Sequence, residues 1–395
     1  MNYIIENIKT EIKEECDVLV VGGGIAGIAA ALSAARYGAK VKLIEREYIL
    51  GGLATAGLVT IYLPLCDGLG NQVSFGISEE LLRLSIKHGA EAMYPKPWLE
   101  NGSKEEKASI RFRVQYNPHI FAILSEKLLK AEGVEILYGT MACNVNVIDN
   151  KIDTVVFENK SGRFAIKVKS VVDTTGDADI CKFANVKTEL FKQKNVLAAW
   201  HYYVSKGDVR LKMLGASDIP DDYKTENAPK PLVECRFTGI EGEELSSMVQ
   251  MSHDFLFDDI MKHREADPTH TPITIPTIPL IRMTRRIVGL YTLCDKEDHK
   301  HFDDSIGMIS DWRKPGPVYQ VPFRTLFGAE VSNLITAGRC ISVTDAMWDI
   351  SRVIPACAVT GEAAGVAAAM TDDFAKLDVK SLQSYLIKQG VKIWD

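Results

Sequence analysis

The feature that most constrains this chain is Gly22-x-Gly24-x-x-Gly27, which follows the apolar run Asp17-Val-Leu-Val-Val21 and opens into Ile28-Ala-Ala-Ala-Leu-Ser-Ala-Ala-Arg36. A short apolar run before a glycine bend reads as a buried strand, and the small-residue stretch after it as a helix, ended by Gly38. Lys40–Ile44 is the next strand, so the segment is a βαβ unit of about 30 residues. Gly22 permits the tight turn, Gly24 lets the backbone approach a pyrophosphate, and Gly27 lets the helix pack on the strand. Ile25 and Ala26 fall in the first helical turn, where unpaired N–H groups and the positive end of the helix dipole attract phosphate. Glu45 closes the second strand near the ~20-residue spacing expected of a ribose-binding acid. Its carboxylate can accept from the 2′- and 3′-hydroxyls and would repel a 2′-phosphate. The full context favours a dinucleotide site over a ligand-free turn.

Length and composition set the class. At about 150 residues per domain, 395 residues suggest two or three domains, or one large domain with an insertion. With 46% hydrophobic and 25% charged residues the chain can bury a core, which excludes global disorder. A net charge of −6 argues against nucleic acid as the main partner. The eight cysteines form no CxxC, and the closest pair is Cys340 and Cys357, so a local redox dithiol, a zinc ribbon and a ferredoxin-type cluster have no support. No metal site is expected, and scattered reduced thiols are. HExxH, GxSxG and Walker motifs are absent. The N-terminus lacks a signal-peptide core, Val18–Ala35 reads better as strand plus helix than as a membrane span, and Ala363–Met370 is too short to cross. The expectation is a soluble cytoplasmic protein with no membrane contact.

Further along, a second glycine-rich loop spans Gly51–Gly57, and helices are predicted over Ile77–His88 and, after Asn117-Pro118, over His119–Ala131. Short β-rich runs follow: Gly133–Tyr138, Met141–Ile148, Ile152–Phe157 and Phe164–Lys169, with hairpin turns at Asp149-Asn150 and Lys160–Gly162. Val171–Gly176 returns to a buried strand. Periodicity weakens over 191–323, where prolines cluster. Asn333–Gly338 is another buried strand, and Pro355–Met370 a helix with proline in its first turn. The predicted class is α/β: a Rossmann-like domain (parallel sheet, helices, β-meander crossover) from residues 1–90, 115–190 and 324–395, and an α+β substrate or cap domain from 91–114 and 191–323. The second glycine loop, the meander and the returning strand–helix point to FAD as the dinucleotide.

On these blocks the chain resembles the FAD-dependent oxidoreductases of the glutathione-reductase-like superfamily, in particular the family named simply FAD-dependent oxidoreductase, distantly similar to the flavin subunit of heterodisulfide reductase. The resemblance rests on VVGGGIAGIAAALSAARYGAKVKLIERE (20–47), GGLATAG (51–57), VVDTTGDADIC (171–181) and NLITAGRCISVTDAMWDISRVIPACAVTGEAAG (333–365), with the shorter RMTRRIVGLYTL (282–293). It spans the chain, though 191–280 carries little of it. The resemblance implies that Glu45 holds the adenosine ribose and Arg46 lies over the adenine. It implies that Gly51, Gly52, Leu53 and Thr55 sit near the ribityl–pyrophosphate or the flavin ring, and that Thr175, Gly176 and Asp177 close the ADP side. Gly338 and Arg339 are expected at the pyrophosphate or ribityl chain; Arg339 stands where many relatives have an acid, which points to phosphate pairing. The helix begun at Pro355 is expected to aim its N-terminus at the flavin N1/C2=O edge, with Ala356 and Cys357 as N–H donors.

Candidates for substrate chemistry are fewer. Arg282, Arg285 and Arg286 form a basic cluster beside an apolar strand predicted over Ile287–Tyr291, suited either to a substrate carboxylate or to a salt-bridged junction. Trp348, Asp349 and Arg352 either line the pocket or pack the start of the late helix, with Asp349 paired to Arg352. Cys340 is either a redox or nucleophilic thiol or a small buried residue. His201 is the best acid–base candidate, against a packed histidine. The function expected is two-electron oxidoreduction, with hydride passing between a small organic substrate and flavin N5 in a cleft between FAD and cap domains. The alternative is a flavin electron-transfer subunit of a disulfide reductase-like complex, served by iron–sulfur partner proteins. A flavin-dependent RNA-modifying enzyme fits the acidic balance poorly.

Overall fold

The computed structural model describes residues 3–92, 95–110, 113–215, 221 and 230–394. Its central element is the strand Glu11–Val21. Every residue from Val18 on is buried, because both faces of the strand are covered: Val18 and Val20 enter one core, Leu19 and Val21 the other. The strand pairs in parallel with Val41–Ile44 and with Gly162–Asp173. Glu135–Leu137 extends the sheet beyond Val41–Ile44. On the far side Lys151–Asn159 and Met141–Ile148 run antiparallel as the meander.

Gly162–Asp173 corrects the sequence reading, which ends one strand at Lys169 and starts another at Val171. It is a single 12-residue strand. No turn residue intervenes: Ser170 is fully buried and donates its hydroxyl to the Thr371 carbonyl at 2.8 Å. Its first half pairs with the meander, while Val171–Asp173 pair in parallel with Leu334–Thr336. The C-terminal segment thereby returns to the sheet directly beside the strand that leads to Thr174.

Two helices cover one face. Ile25–Tyr37 and Ile354–Met370 are rich in alanine and glycine, and they approach until backbones touch. A Cβ on Gly361 would lie 2.3 Å from the Ala26 carbonyl oxygen, and one on Gly365 would lie 2.1 Å from that of Ala30. Ser33 Oγ donates to the Glu362 carbonyl at 2.8 Å across the same contact. The antiparallel pair Ser305–Ser310 and Val318–Pro322 shares this core. Among the described residues no single helix is long and apolar enough to cross a membrane.

A three-stranded antiparallel sheet, Asp208–Leu214, Ala199–Ser205 and Thr271–Thr274, stands apart from the first. The 25-residue helix Gly242–Ala266 packs on it; the sequence reading missed this helix, although Leu245, Met248, Phe255 and Leu256 recur at helical spacing. The strand predicted at Ile287–Tyr291 is shorter and earlier, Arg285–Ile287. Tyr202 ties this sheet to the loop after the second glycine run, its hydroxyl lying 2.6 Å from Thr60 Oγ1.

Candidate active site

The strand Glu11–Val21 delivers the chain to Gly22, whose φ is +103°; a Cβ there would sit 2.5 Å from the Thr174 carbonyl oxygen, so only glycine fits. Gly24 is the opposite case. A Cβ added there meets no protein atom within 4 Å, because the residue faces a cavity of about 800 Å³. The second glycine loop lies alongside, with Gly51 N donating to the Gly23 carbonyl at 2.8 Å. Glu45, 6% exposed, spans the bend: Gly23 N donates to its Oε2 at 2.6 Å and Glu47 N to its Oε1 at 2.8 Å. Burial raises the Glu45 pKa, against these two donors.

On the opposite wall Arg339 lies flat over Gly176, where a Cβ would fall 2.1 Å from its Nη2. Arg339 donates to the Ile281 carbonyl at 2.9 Å and pairs with Asp177 at 3.6 Å, so it bridges the nucleotide end to the segment beyond 191. Asp179 sits nearby, its pKa raised first by burial and then by Asp177 and Asp173. Gly338 faces the start of the late helix: a Cβ there would lie 2.8 Å from that of Ala26 and 3.5 Å from Cys357 Sγ. The two glycine-dependent bends and the helix beginning at Ile354 therefore meet at one cavity.

The helix start differs from expectation in one respect. Cys357 N donates to the Val353 carbonyl at 2.9 Å, so its N–H is spent inside the helix, and burial pushes its thiol up to about 12. Val353 and Ile354 line the cavity with Cys357, while Arg352 reaches it held by Asp349 at 2.5 Å.

Of the residues the sequence singles out for the cofactor, Gly22, Gly24, Ile25, Ala26, Glu45, Arg46, Gly51, Gly52, Leu53, Thr175, Gly176, Asp177, Gly338, Arg339 and Cys357 line this cavity, as do Arg282 and Arg352 among the substrate candidates. Gly27, Thr55, Pro355 and Ala356 do not line it; Gly27 packs against the Gly22 carbonyl and Thr55 Oγ1 donates to the Leu50 carbonyl at 2.5 Å.

Trp348, Cys340, Arg285, Arg286 and His201 do not line the cavity, and each takes the packed or salt-bridged alternative. Trp348 is fully buried, its indole N–H donating to the Arg339 carbonyl at 2.8 Å. Cys340 is fully buried, accepts from Ala178 N at 3.3 Å, and burial drives its thiol well above the ordinary range. Arg285 pairs with Asp179 at 3.2 Å, and its neighbour Arg286 with Glu189 at 2.8 Å, which is the salt-bridged junction rather than a substrate site. His201 points to the opposite side of its strand from Trp200, lies beside the ring of Tyr203 and is held neutral by burial, its pKa down to about 4. Sequence reasoning missed Trp312, Met213, Leu245, Ile278 and Ile281, which also line the cavity. Met213 ends the polar–apolar alternation Asp208–Met213 and Leu245 stands at helical spacing from Met248, signals the sequence reading passed over, whereas Ile278, Ile281 and Trp312 come from stretches without such a period. Among the described residues no cluster of three or more His, Cys, Asp or Glu is placed to hold a metal.

These residues fit an extended dinucleotide. The open space at Gly24, the acid at the end of the second strand and the positive helix end lie along one cavity, as a ribose–pyrophosphate–ring molecule requires. A digeranylgeranylglycerophospholipid reductase from Thermoplasma volcanium is 23% identical over 202 residues, 50% of this chain and 48% of that protein; the chain thus spans about half the length of the curated relatives it matches. An iron-sulfur subunit of the CoB–CoM heterodisulfide reductase from Methanopyrus kandleri is 51% identical over 49 residues, 12% of this chain and 7% of its own. The crystal structure of a geranylgeranyl bacteriochlorophyll reductase-like protein from Thermoplasma acidophilum superposes with a TM-score of 0.50 at 16% identity, covering 96% of this chain and 84% of that one, which is a likeness of fold. The family model described as FAD dependent oxidoreductase matches residues 17–199 and 234–386. That match covers well over half of the sequence and includes both glycine bends and the late helix, and the chain belongs to the FAD dependent oxidoreductase family.

Proposed function

We propose that this FAD-dependent oxidoreductase passes hydride between a small organic substrate and flavin N5, in the cleft between the FAD-binding elements and the segment 191–323. The observation that carries the reading is continuity: one cavity of about 800 Å³ runs from Glu45 and Arg46 to Trp200, Arg282 and Trp312. When bound, FAD supplies the two-electron redox chemistry. The chain supplies the rest. Gly22, Gly24 and Gly176 bring backbone close to the pyrophosphate, Glu45 orients the ribose, and Gly338 and Arg339 flank the middle of the cavity. The late helix presents its positive end, where the Ala356 N–H, like the first N–H groups of any helix, has no backbone partner among the described residues. Fixed dipoles there favour negative charge at that end of the cavity. The aromatic and aliphatic wall from 191–323 excludes water beside it.

The test is direct. The purified protein is expected to carry FAD, read by its visible absorbance, and that absorbance is expected to bleach under anaerobic mixing with one member of a metabolite panel. No flavin in the purified protein, and no tight FAD uptake by refolded apoprotein, would overturn the reading. Stoichiometric co-purification with an iron–sulfur protein, without bleaching by any metabolite, would replace it with an electron-transfer role.

A further inference from the structure

The histidine that the cavity does not use belongs to a polar cluster on the other face of its strand. His201 is fully buried, and neither ring nitrogen has a hydrogen-bond partner among the described residues. His270, which directly precedes the strand Thr271–Thr274, is 3% exposed and leaves its Nε2 unpartnered in the same way. Its ring stacks on Tyr203 at 4.3 Å between centroids and on His263 at 5.1 Å, and Tyr203 lies 5.7 Å from His201. His263 comes from the helix Gly242–Ala266, so the cluster spans the contact between helix and sheet. Lys212, opposite His201 in the strand register, and Asp259, one helical turn before His263, complete it. Asp259 Oδ1 lies 3.6 Å from Lys212 Nζ and 3.6 Å from His263 Nδ1, while its Oδ2 is buried without a partner. The other charged side chains on this half of the helix, Asp258, Lys262, Arg264 and Glu265, are exposed. Asp267 beyond it is bonded to Ser205 and Thr269, and Arg210 on the sheet is paired with Asp208. The first half of the helix is held by an apolar cluster of Leu245, Met248, Met251 and Phe255 with Leu197 and Phe237; in the second half Leu256 is the one buried apolar residue.

We infer that this cluster is an acid-released latch: protonation of His201 and His270 sets them, together with Lys212, against the single carboxylate of Asp259 and detaches the second half of the helix from the sheet. Like charges repel strongly where water is excluded, and one carboxylate cannot balance three cations. Burial holds His201 neutral, its pKa down to about 4, and burial and then His263 lower that of His270. Both lie below the value near 6.5 of a solvated ring, so release takes up protons. The latch is complete above about pH 6.5 and is lost as pH falls toward 4. Across that window His201 alone raises the opening constant by up to about tenfold per pH unit. The strand that the release uncovers, Ala199–Ser205, carries Trp200, which lines the cavity from the opposite face. Acid therefore loosens the wall from 191–323 and spares the glycine-lined end. The latch is a property of the helix and the sheet and draws on no step of the reaction proposed above.

The test is hydrogen–deuterium exchange of the purified protein at pH 7.5, 6.5, 5.5 and 4.5, read by mass spectrometry as protection factors corrected for the intrinsic pH dependence of exchange. Protection of residues 256–266 is expected to fall at least thirtyfold from pH 7.5 to 4.5, most of it below pH 6.5. Protection of the helix Ile354–Met370 is expected not to fall. His201→Phe keeps a ring, removes the titration and loses no side-chain hydrogen bond to the described residues. It is expected to hold protection at pH 7.5 within threefold of wild type and to shrink the acid fall at least fivefold. His270→Phe is expected to shrink that fall at least twofold, and it decides the matter if His201→Phe does not fold. A wild-type fall below tenfold, an equal fall in Ile354–Met370, or a fall of wild-type size in the histidine variant would overturn the latch.

Discussion

The glycine-lined end of the cavity and the wall from 191–323 are built from different material. The first is mostly backbone: Gly22, Gly24, Gly51, Gly176 and Gly338 bring main chain to the cavity, and Glu45 is held there by two main-chain N–H groups. The second is side chain from scattered segments, with Trp200, Met213, Leu245, Ile281 and Trp312 meeting only in three dimensions. Backbone geometry tolerates few substitutions, since a turn with φ +103° and a carbonyl 2.5 Å from any added Cβ admits glycine alone. A side-chain wall can be recomposed residue by residue while staying apolar. One fold can therefore keep its cofactor site and change its substrate.

The sharpest way to break this contrast is Gly24→Val. Gly24 has φ −68° and ψ −175°, which valine adopts readily, and an added Cβ meets no protein atom. The new methyl groups enter the cavity alone. FAD affinity is expected to fall at least about a thousandfold, or about 4 kcal/mol. Apoprotein stability in urea is expected to change by less than about 1 kcal/mol, the scale of an altered helix cap. A variant that still purifies with stoichiometric flavin would show that the backbone at Gly24 is not where the cofactor lies.

The same contrast explains what could be read from the chain beforehand. Residues 17–57 and 333–370 were legible because strand, bend and helix are contiguous there, so local rules suffice: apolar runs, glycines at fixed offsets, a proline at a helix start. The strand Gly162–Asp173 was misdivided because it changes partners midway, from meander to Leu334–Thr336, and the composition changes with them. Of the 191–323 wall only Arg282 was legible. Trp200 and His201 are adjacent, and the sequence reading preferred the titratable residue; strand alternation sends the tryptophan to the cavity and the histidine away from it. Trp312 sits in no periodic pattern, and the alternation Asp208–Met213 marks a strand without saying what its apolar face meets. Their position depends on tertiary packing, which no single-sequence period encodes.

One acid sharpens the contrast from the framework side. Glu362 lies on the late helix, 3% exposed, and accepts from Ile77 N at 2.8 Å, capping the helix Ile77–Ile86 from a distance. Burial pushes its pKa up from 4.5 to about 8. Because folding raises this pKa, the folded state binds the proton more tightly than the unfolded one. The stability it contributes is complete below about pH 4.5, is lost as pH rises toward 8, and is flat beyond. The slope approaches about 1.4 kcal/mol per pH unit, or roughly 3–4 kcal/mol between pH 5 and 8. Glu362→Gln, which keeps an acceptor for Ile77 N, is expected to flatten that part of the profile in chemical denaturation. An unchanged slope would mean that Glu362 is ionised throughout.

Gly361→Val tests whether the helix pair is the rigid base of the nucleotide end. Its Cβ would lie 2.3 Å from the Ala26 carbonyl oxygen, so the helices must separate. Overpacking of this kind is expected to cost about 2–3 kcal/mol of stability and to lower flavin retention with it, since Ala26 lines the cavity. Lost stability with unchanged flavin affinity would mean the bend at Gly22–Gly27 holds its shape without the second helix.

The smallest expected effect lies at the other end. Met213 lines the cavity from the strand Asp208–Leu214, opposite Trp200 in the antiparallel register, and is 46% exposed. Truncating a half-exposed side chain on an edge strand removes little buried area, so Met213→Ala is expected to change stability by no more than about 0.5 kcal/mol. FAD affinity is expected to move less than twofold, because the groups that meet the cofactor in this reading are main-chain atoms on a different sheet. The apparent affinity of the metabolite that bleaches the flavin, in contrast, is expected to drop about two- to threefold with the lost apolar contact. If Met213→Ala weakened FAD tenfold, the cap wall would be part of the cofactor site. The division between a backbone-built cofactor end and a replaceable substrate end would then fail at the residue where the two should be easiest to separate.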